Sequence, residues 1–80
     1  MTIGEAVITR VLFLCEKNDY SLNGLCNHCG ITQSTMNNLR TGKSKNPTCA
    51  TVKKICDGLS ITMSEFFNDP MFEKLDPEVN

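Results

Sequence analysis

An all-α domain of five short helices is the fold class this 80-residue sequence predicts, and three observations carry it. Apolar residues recur at three- and four-residue spacing in several separate stretches, with no run of strict alternation that would mark a strand. Each stretch is preceded by a serine or threonine suited to capping a helix. Glycine, or an Asn-Asp or Asp-Pro pair, stands between them as punctuation.

The first helix is predicted from Ile3 to about Asn18, capped by Thr2 with Glu5 three residues on. Val7, Val11, Leu14 and Cys15 form its inward face, widened by Ile8 and Leu12, and Phe13 makes its outer side unusually apolar. Asn18 and Asp19 turn the chain, Tyr20 packs, and Ser21 caps a second helix, Leu22 to Cys29. Gly30 stops it, because the left-handed conformation that ends a helix is sterically cheap only for glycine. Thr32 caps a third helix, about Gln33 to Arg40, whose inward residues are Met36 and Leu39, and small Cys26 lets helices two and three approach closely. Thr41-Gly42 ends that helix and Lys43 to Pro47 form a basic loop. Thr48 then caps a fourth helix, Cys49 to Leu59, with Val52, Ile55, Cys56 and Leu59 inward. Thr62 and Glu65 form a capping box for a fifth, Met63 to Asn68. Residues 1–69 are expected to make the domain and residues 70–80 an acidic tail with apolar residues; Phe66, Phe67, Met71, Phe72 and Leu75 are candidates for a dimer contact, with Phe13 an outside candidate, and the alternative is that the tail folds back over its own core.

Eighty residues leave room for one small core and no second domain. No apolar run approaches the ~20 residues of a membrane span, and no basic leader precedes an apolar stretch, so a bacterial-type cytoplasm is the expected setting and a membrane partner is not. The net charge of −1 conceals a partition. From Tyr20 to Cys56 there is no Asp or Glu, but Arg40, Lys43, Lys45, Lys53 and Lys54 are present; from Asp57 onward six acids face Lys74 alone. One basic face and one acidic end steer a molecule toward phosphates.

Two helices meeting at Gly30 make the layout of a helix-turn-helix, in which the second helix is presented to a DNA groove. Opposite Met36 and Leu39, the third helix carries Ser34, Asn37, Asn38 and Thr41, flanked by Gln33. All are uncharged hydrogen-bonding residues where a merely solvated face would mix Glu, Lys and Arg; amides suit adenine N6 and N7, and hydroxyls suit base edges or phosphate oxygens.

The stretch SLNGLCNHCGITQSTMNNLRTGKSKNP and the trailing LSITMSEFF resemble the DNA-binding domain of lambdoid phage repressors and Cro, in the wider XRE-like family, over about Ile3 to Phe67. The resemblance rests on Cys26, Gly30, Ile31, Met36 and Leu39 at the family spacing, and on the TGKSKNP loop. It implies a lambda-repressor-like fold, duplex DNA as partner, and a homodimer reading paired half-sites in transcriptional regulation. It further implies that Gln33, Ser34 and Asn38 reach base edges. Ser21, Asn23, Thr32, Thr35, Asn37, Arg40, Thr41, Lys43, Ser44 and Lys45 are left for backbone contacts or support, Arg40 with the option of pairing with Glu16. Where members commonly have glutamine, this chain has Leu22, which removes one usual phosphate contact.

The five cysteines raise a zinc alternative through Cys26-Asn27-His28-Cys29 with Cys49 and Cys56, and a redox sensor as another. Cys26 and Cys29 fall at inward positions of a helix, where free cysteine acts as a small hydrophobe, so core thiols, with neither metal nor cofactor, are expected. Disulfides are disfavoured in a cytoplasm. No nucleophile, base and orienting acid stand at catalytic spacing, no phosphate-binding glycine loop is present, and neither an enzyme nor a small-molecule ligand is expected. The rival reading is an antitoxin-like or other protein-interaction module that keeps this fold.

Overall fold

Every α-helix among the described residues begins on a hydroxyl. In the computed structural model, which describes residues 1–79, the side chains of Thr2, Ser21, Thr32, Thr48 and Thr62 accept from the backbone N–H of Glu5, Gly24, Thr35, Thr51 and Glu65. Each such cap satisfies a donor the helix cannot satisfy itself and contributes about 1 kcal/mol. The helices are α1 (Ile3–Lys17), α2 (Leu22–Cys29), α3 (Gln33–Thr41), α4 (Cys49–Leu59) and α5 (Met63–Phe67), followed by a 3₁₀ turn at Pro70–Glu73. Asn18 and Asn68 are C-caps just outside α1 and α5, and α3 includes Thr41. Left-handed residues close three helices: Gly30 at φ 71°, Gly42 at φ 81° and Ser60 at φ 56°.

The core is gathered from all five helices. Val7, Val11, Leu25, Met36, Ile55 and Phe66 are fully buried, with Cys15, Cys26 and Cys56 filling small gaps between them. α2 lies against α4, α3 against α1, and α5 closes over α4. Gly58 makes the first of these contacts possible, since a Cβ there would meet the Cys29 thiol. Gly4 does the same where the loop after α3 crosses α1: its missing Cβ would stand 2.9 Å from the Lys45 carbonyl oxygen. Burial holds the thiols of Cys15, Cys26, Cys29 and Cys56 above the usual cysteine range.

Two expectations, on Leu12 and on Phe66, are corrected here. Leu12 does not widen the core face of α1; it is 44% exposed, beside Phe13 at 51%, because the inward arc is already filled by Ala6, Val7, Ile8 and Val11. Phe66 is wholly buried and offers nothing to a partner. The tail folds back on its own chain. Phe72 packs against the core with its ring 5.0 Å from Phe67 and 6.2 Å from Phe66, while Asp76 donates its N–H to the Met1 carbonyl and sets its carboxylate 3.3 Å from the Met1 ammonium. Arg10 ties the two ends together. Its guanidinium donates to the carbonyls of Phe66 and Glu65 at 2.8 and 2.9 Å, approaches Asp69 at 3.7 Å and lies 5.3 Å from the centre of the Phe13 ring.

Candidate nucleic-acid interface

α3 divides cleanly into two faces. Met36 and Leu39 are buried, whereas Gln33, Ser34, Thr35, Asn37, Arg40 and Thr41 are exposed and Asn38 is half-buried at the edge. The exposed side chains then separate by what they already hold. Thr32 and Thr35 bond to each other, hydroxyl to hydroxyl at 2.8 Å, and the Thr35 N–H donates to the Thr32 hydroxyl at 3.2 Å. Asn37 accepts from Arg40 at 2.8 Å, and the Thr41 hydroxyl donates to the Asn37 carbonyl at 2.9 Å. Gln33, Ser34 and Asn38 keep their side-chain polar groups free of protein partners among the described residues, so their donors and acceptors are open to a ligand.

The α2 end of the site is built by a cap and a cleft. The Ser21 hydroxyl accepts from the Gly24 N–H at 3.0 Å, which engages it in holding the helix, and Asn23 stands exposed on the first turn. A cleft of about 60 Å³ between α2 and α3 is lined by Leu22, Asn23, Cys26, Gln33, Met36, Asn37 and Arg40, so Asn23, Gln33, Asn37 and Arg40 are brought to one place. On the other side the loop after α3 is fixed at two points. The Ser44 N–H donates to the Asn38 carbonyl at 2.9 Å, and the Lys45 backbone rests on Gly4. That leaves the Lys43 and Lys45 side chains exposed at the rim, with Ser44 and Lys45 lining a groove of about 250 Å³ against Thr2, Gly4 and Glu5.

The electrostatics refine the sequence reading. Lys53 is 2.5 Å from Asp57 one turn along α4; that hydrogen bond raises its pKa, which keeps the ammonium charged and pairs it with a carboxylate. The ion pairs of the described residues join Met1 to Asp76, Arg10 to Asp69 and Lys53 to Asp57, and none involves Arg40, Lys43, Lys45 or Lys54. Arg40 does not pair with Glu16; Asn37, three residues back on its own helix, is nearer to hand. His28 is exposed, bonded through Nε2 to the Gly58 carbonyl at 2.8 Å and stacked on Tyr20 with ring centres 5.4 Å apart, which braces α2 on α4. Among the described residues no three His, Cys, Asp or Glu side chains converge as a metal site would require, and Cys49 lies exposed, apart from the buried thiols.

Gly4 and Gly58 were not legible as supports of this surface. Their signal is a glycine inside a helical pattern, a position where glycine is costly unless a neighbour must come close.

The profile of the Cro/C1-type HTH DNA-binding domain matches residues 12–70 of the chain. Among solved structures, the prophage Lp1 protein 11 is similar, with 34% sequence identity, a TM-score of 0.82, and coverage of 89% of this chain and 93% of that one. No curated protein matches the chain.

Proposed function

From the premise that this chain belongs to the Cro/C1-type helix-turn-helix DNA-binding domain family, we propose that it is a sequence-specific transcriptional regulator of duplex DNA, acting as a repressor and reading the major groove with α3. The observation that carries the reading is the outer face of α3, where Gln33, Ser34 and Asn38 hold unspent hydrogen-bonding groups in a region without one acid. An amide that both donates and accepts can pair with an adenine edge, and the first turn of the helix is the part that enters the groove. Asn23, Arg40, Thr41, Lys43, Ser44 and Lys45 flank that face and serve the phosphates. Ser21, Thr32, Thr35 and Asn37 hold the elements that carry them. Repression then needs only occupancy of a promoter.

A homodimer in a bacterial or phage-host cytoplasm completes the proposal. One nine-residue helix spans about 13 Å at 1.5 Å per residue, too short to specify an operator by itself, and two-fold pairing doubles the site at a spacing of about one helical turn. No helix of the described residues is long and apolar enough to cross a membrane. The exposed Leu12 and Phe13 on α1 favour a second reading, a protein-interaction module that keeps the fold.

Titration with an unrelated duplex, followed by selection from a random DNA pool, separates the two. Binding at low salt whose log-log slope falls near −0.9 per neutralised phosphate, with recovery of one enriched motif, is the expected result. A chain that ignores duplex DNA at low salt, or binds it indifferently to salt, is the interaction module instead.

A further inference from the structure

The chain has two arginines, and the structure uses them in opposite ways. Arg10 is consumed: its side chain is 12% exposed and its donors go to two carbonyls and a carboxylate. Arg40 is exposed, has no carboxylate partner among the described residues, and gives one N–H to the Asn37 amide oxygen at 2.8 Å. A guanidinium has five donors, so most of the fork remains unspent. Asn37 and Arg40 both line the cleft that opens toward Leu22 and Asn23 at the start of α2.

The identity of the holding group matters. A carboxylate at residue 37 would fix Arg40 equally well and cancel its charge, whereas an amide fixes the rotamer and leaves the full positive charge available. The bond also changes Asn37 itself. With the guanidinium against its oxygen, one of the two acceptor positions of the amide is taken, and its two N–H donors have no protein partner among the described residues. The pair therefore presents mainly donors, which matches phosphate oxygens. Arg40 stands on the last turn of α3, away from the first-turn residues that face the bases in the reading above.

We infer that Asn37 is a positioning residue that holds Arg40 over the α2–α3 cleft as a preorganised, un-neutralised clamp for one DNA phosphate. This rests on the DNA-binding reading and adds to it a dependence of one residue on another. Holding a long side chain in its bound rotamer removes part of the ordering cost of the contact, an effect of about threefold to tenfold in affinity.

The experiment is a double-mutant cycle on an unrelated duplex over a range of salt. Arg40→Ala is expected to weaken binding and lower the salt slope by about one unit. Asn37→Ala is expected to weaken binding about threefold to tenfold in the native background and to have no further effect in the Arg40→Ala background. Asn37→Asp, which keeps the hold but cancels the charge, is expected to match or exceed the loss of Arg40→Ala. Both side chains are exposed, and unchanged thermal unfolding verifies that the variants fold alike. Additive effects of Asn37→Ala and Arg40→Ala, or no effect of Asn37→Ala alone, would overturn the inference while leaving the DNA reading intact. Absence of DNA binding by the native chain at low salt would overturn both.

Discussion

Gln33 and Lys45 stand at opposite ends of the surface and have different physical tasks, which a pair of alanine substitutions separates. Gln33 is exposed on the first turn of α3 with its amide unspent. Gln33→Ala is expected to cost ~1–3 kcal/mol on the preferred sequence and almost nothing on a scrambled one. Lys45→Ala should weaken both duplexes alike and lower the salt slope by up to about one unit. Equal losses on both duplexes for Gln33→Ala would remove that residue from base reading. Glu5 offers a test at the other end of the pH scale. The Thr2 backbone N–H first, and its hydroxyl second, hold the Glu5 carboxyl below its ordinary value of 4.5. A depressed folded-state pKa contributes stability that is present above the unfolded value and fades as pH falls through the folded one. The stability difference between the native chain and Glu5→Gln should therefore be present at neutral pH and shrink as pH falls below the ordinary carboxylate range; a difference independent of pH would show that the capping box gains nothing from charge. Both residues could be found from sequence because helix periodicity and capping are local. The Asn37–Arg40 bond could not, since Glu16 offers an equally plausible partner on paper and only side-chain placement chooses.

At the level of the helix, starts were more legible than contacts. A hydroxyl three residues before a backbone N–H is a local event, and all five caps stand where the sequence places them. Ends were legible where glycine marks them, and Ser60 shows what glycine avoids. At φ 56° it closes α4 in a conformation that costs an L-residue about 1 kcal/mol or more, while the Ile61 N–H still reaches the Cys56 carbonyl at 3.0 Å. Ser60→Gly should raise stability by about 0.5–1 kcal/mol in denaturant unfolding, the larger unfolded-state entropy of glycine offsetting part of the strain relieved. A loss of stability would mean that the Ser60 side chain makes a compensating contact. Gly4 works in the other direction. Alanine is the better helix former by about 1 kcal/mol, but its Cβ would be driven against the Lys45 carbonyl, which belongs to backbone and cannot swing aside. Gly4→Ala is expected to destabilise by about 1–3 kcal/mol and to weaken DNA binding by displacing the loop that carries Lys43 and Lys45. A more stable variant with native affinity would show that the loop yields without consequence.

Across the whole molecule, the tail is where local pattern is least informative, because Met71, Phe72 and Leu75 suit a partner surface and a self-covering flap equally. What decides is long-range: Arg10 on α1 reaches the end of α5 and Asp69, Phe72 sits on the core beside Phe66 and Phe67, and Met1 meets Asp76. None of these pairs is close in sequence. A half-buried Phe72 contributes on the order of 1–2 kcal/mol, and the exposed Met1–Asp76 pair little. A chain truncated after Asn68 loses both contacts and the Arg10–Asp69 pair. It is expected to remain folded but to unfold about 4–16 °C lower, at the 4–8 °C per kcal/mol typical of a domain this size. Its oligomeric state by sedimentation should equal that of the full chain, because Phe66 is sealed inside and Phe72 is committed to its own core. Met1, Leu12, Phe13, Phe67 and Val79 are the large apolar residues left exposed; Leu12 and Phe13 stand side by side on α1, and Phe13→Ser in the full chain is the complementary measurement. A truncated chain of native stability that sediments as a monomer where the full chain is a dimer would reverse the assignment. In that case the tail is the dimer contact, and the flap seen over Phe66 opens when two chains meet.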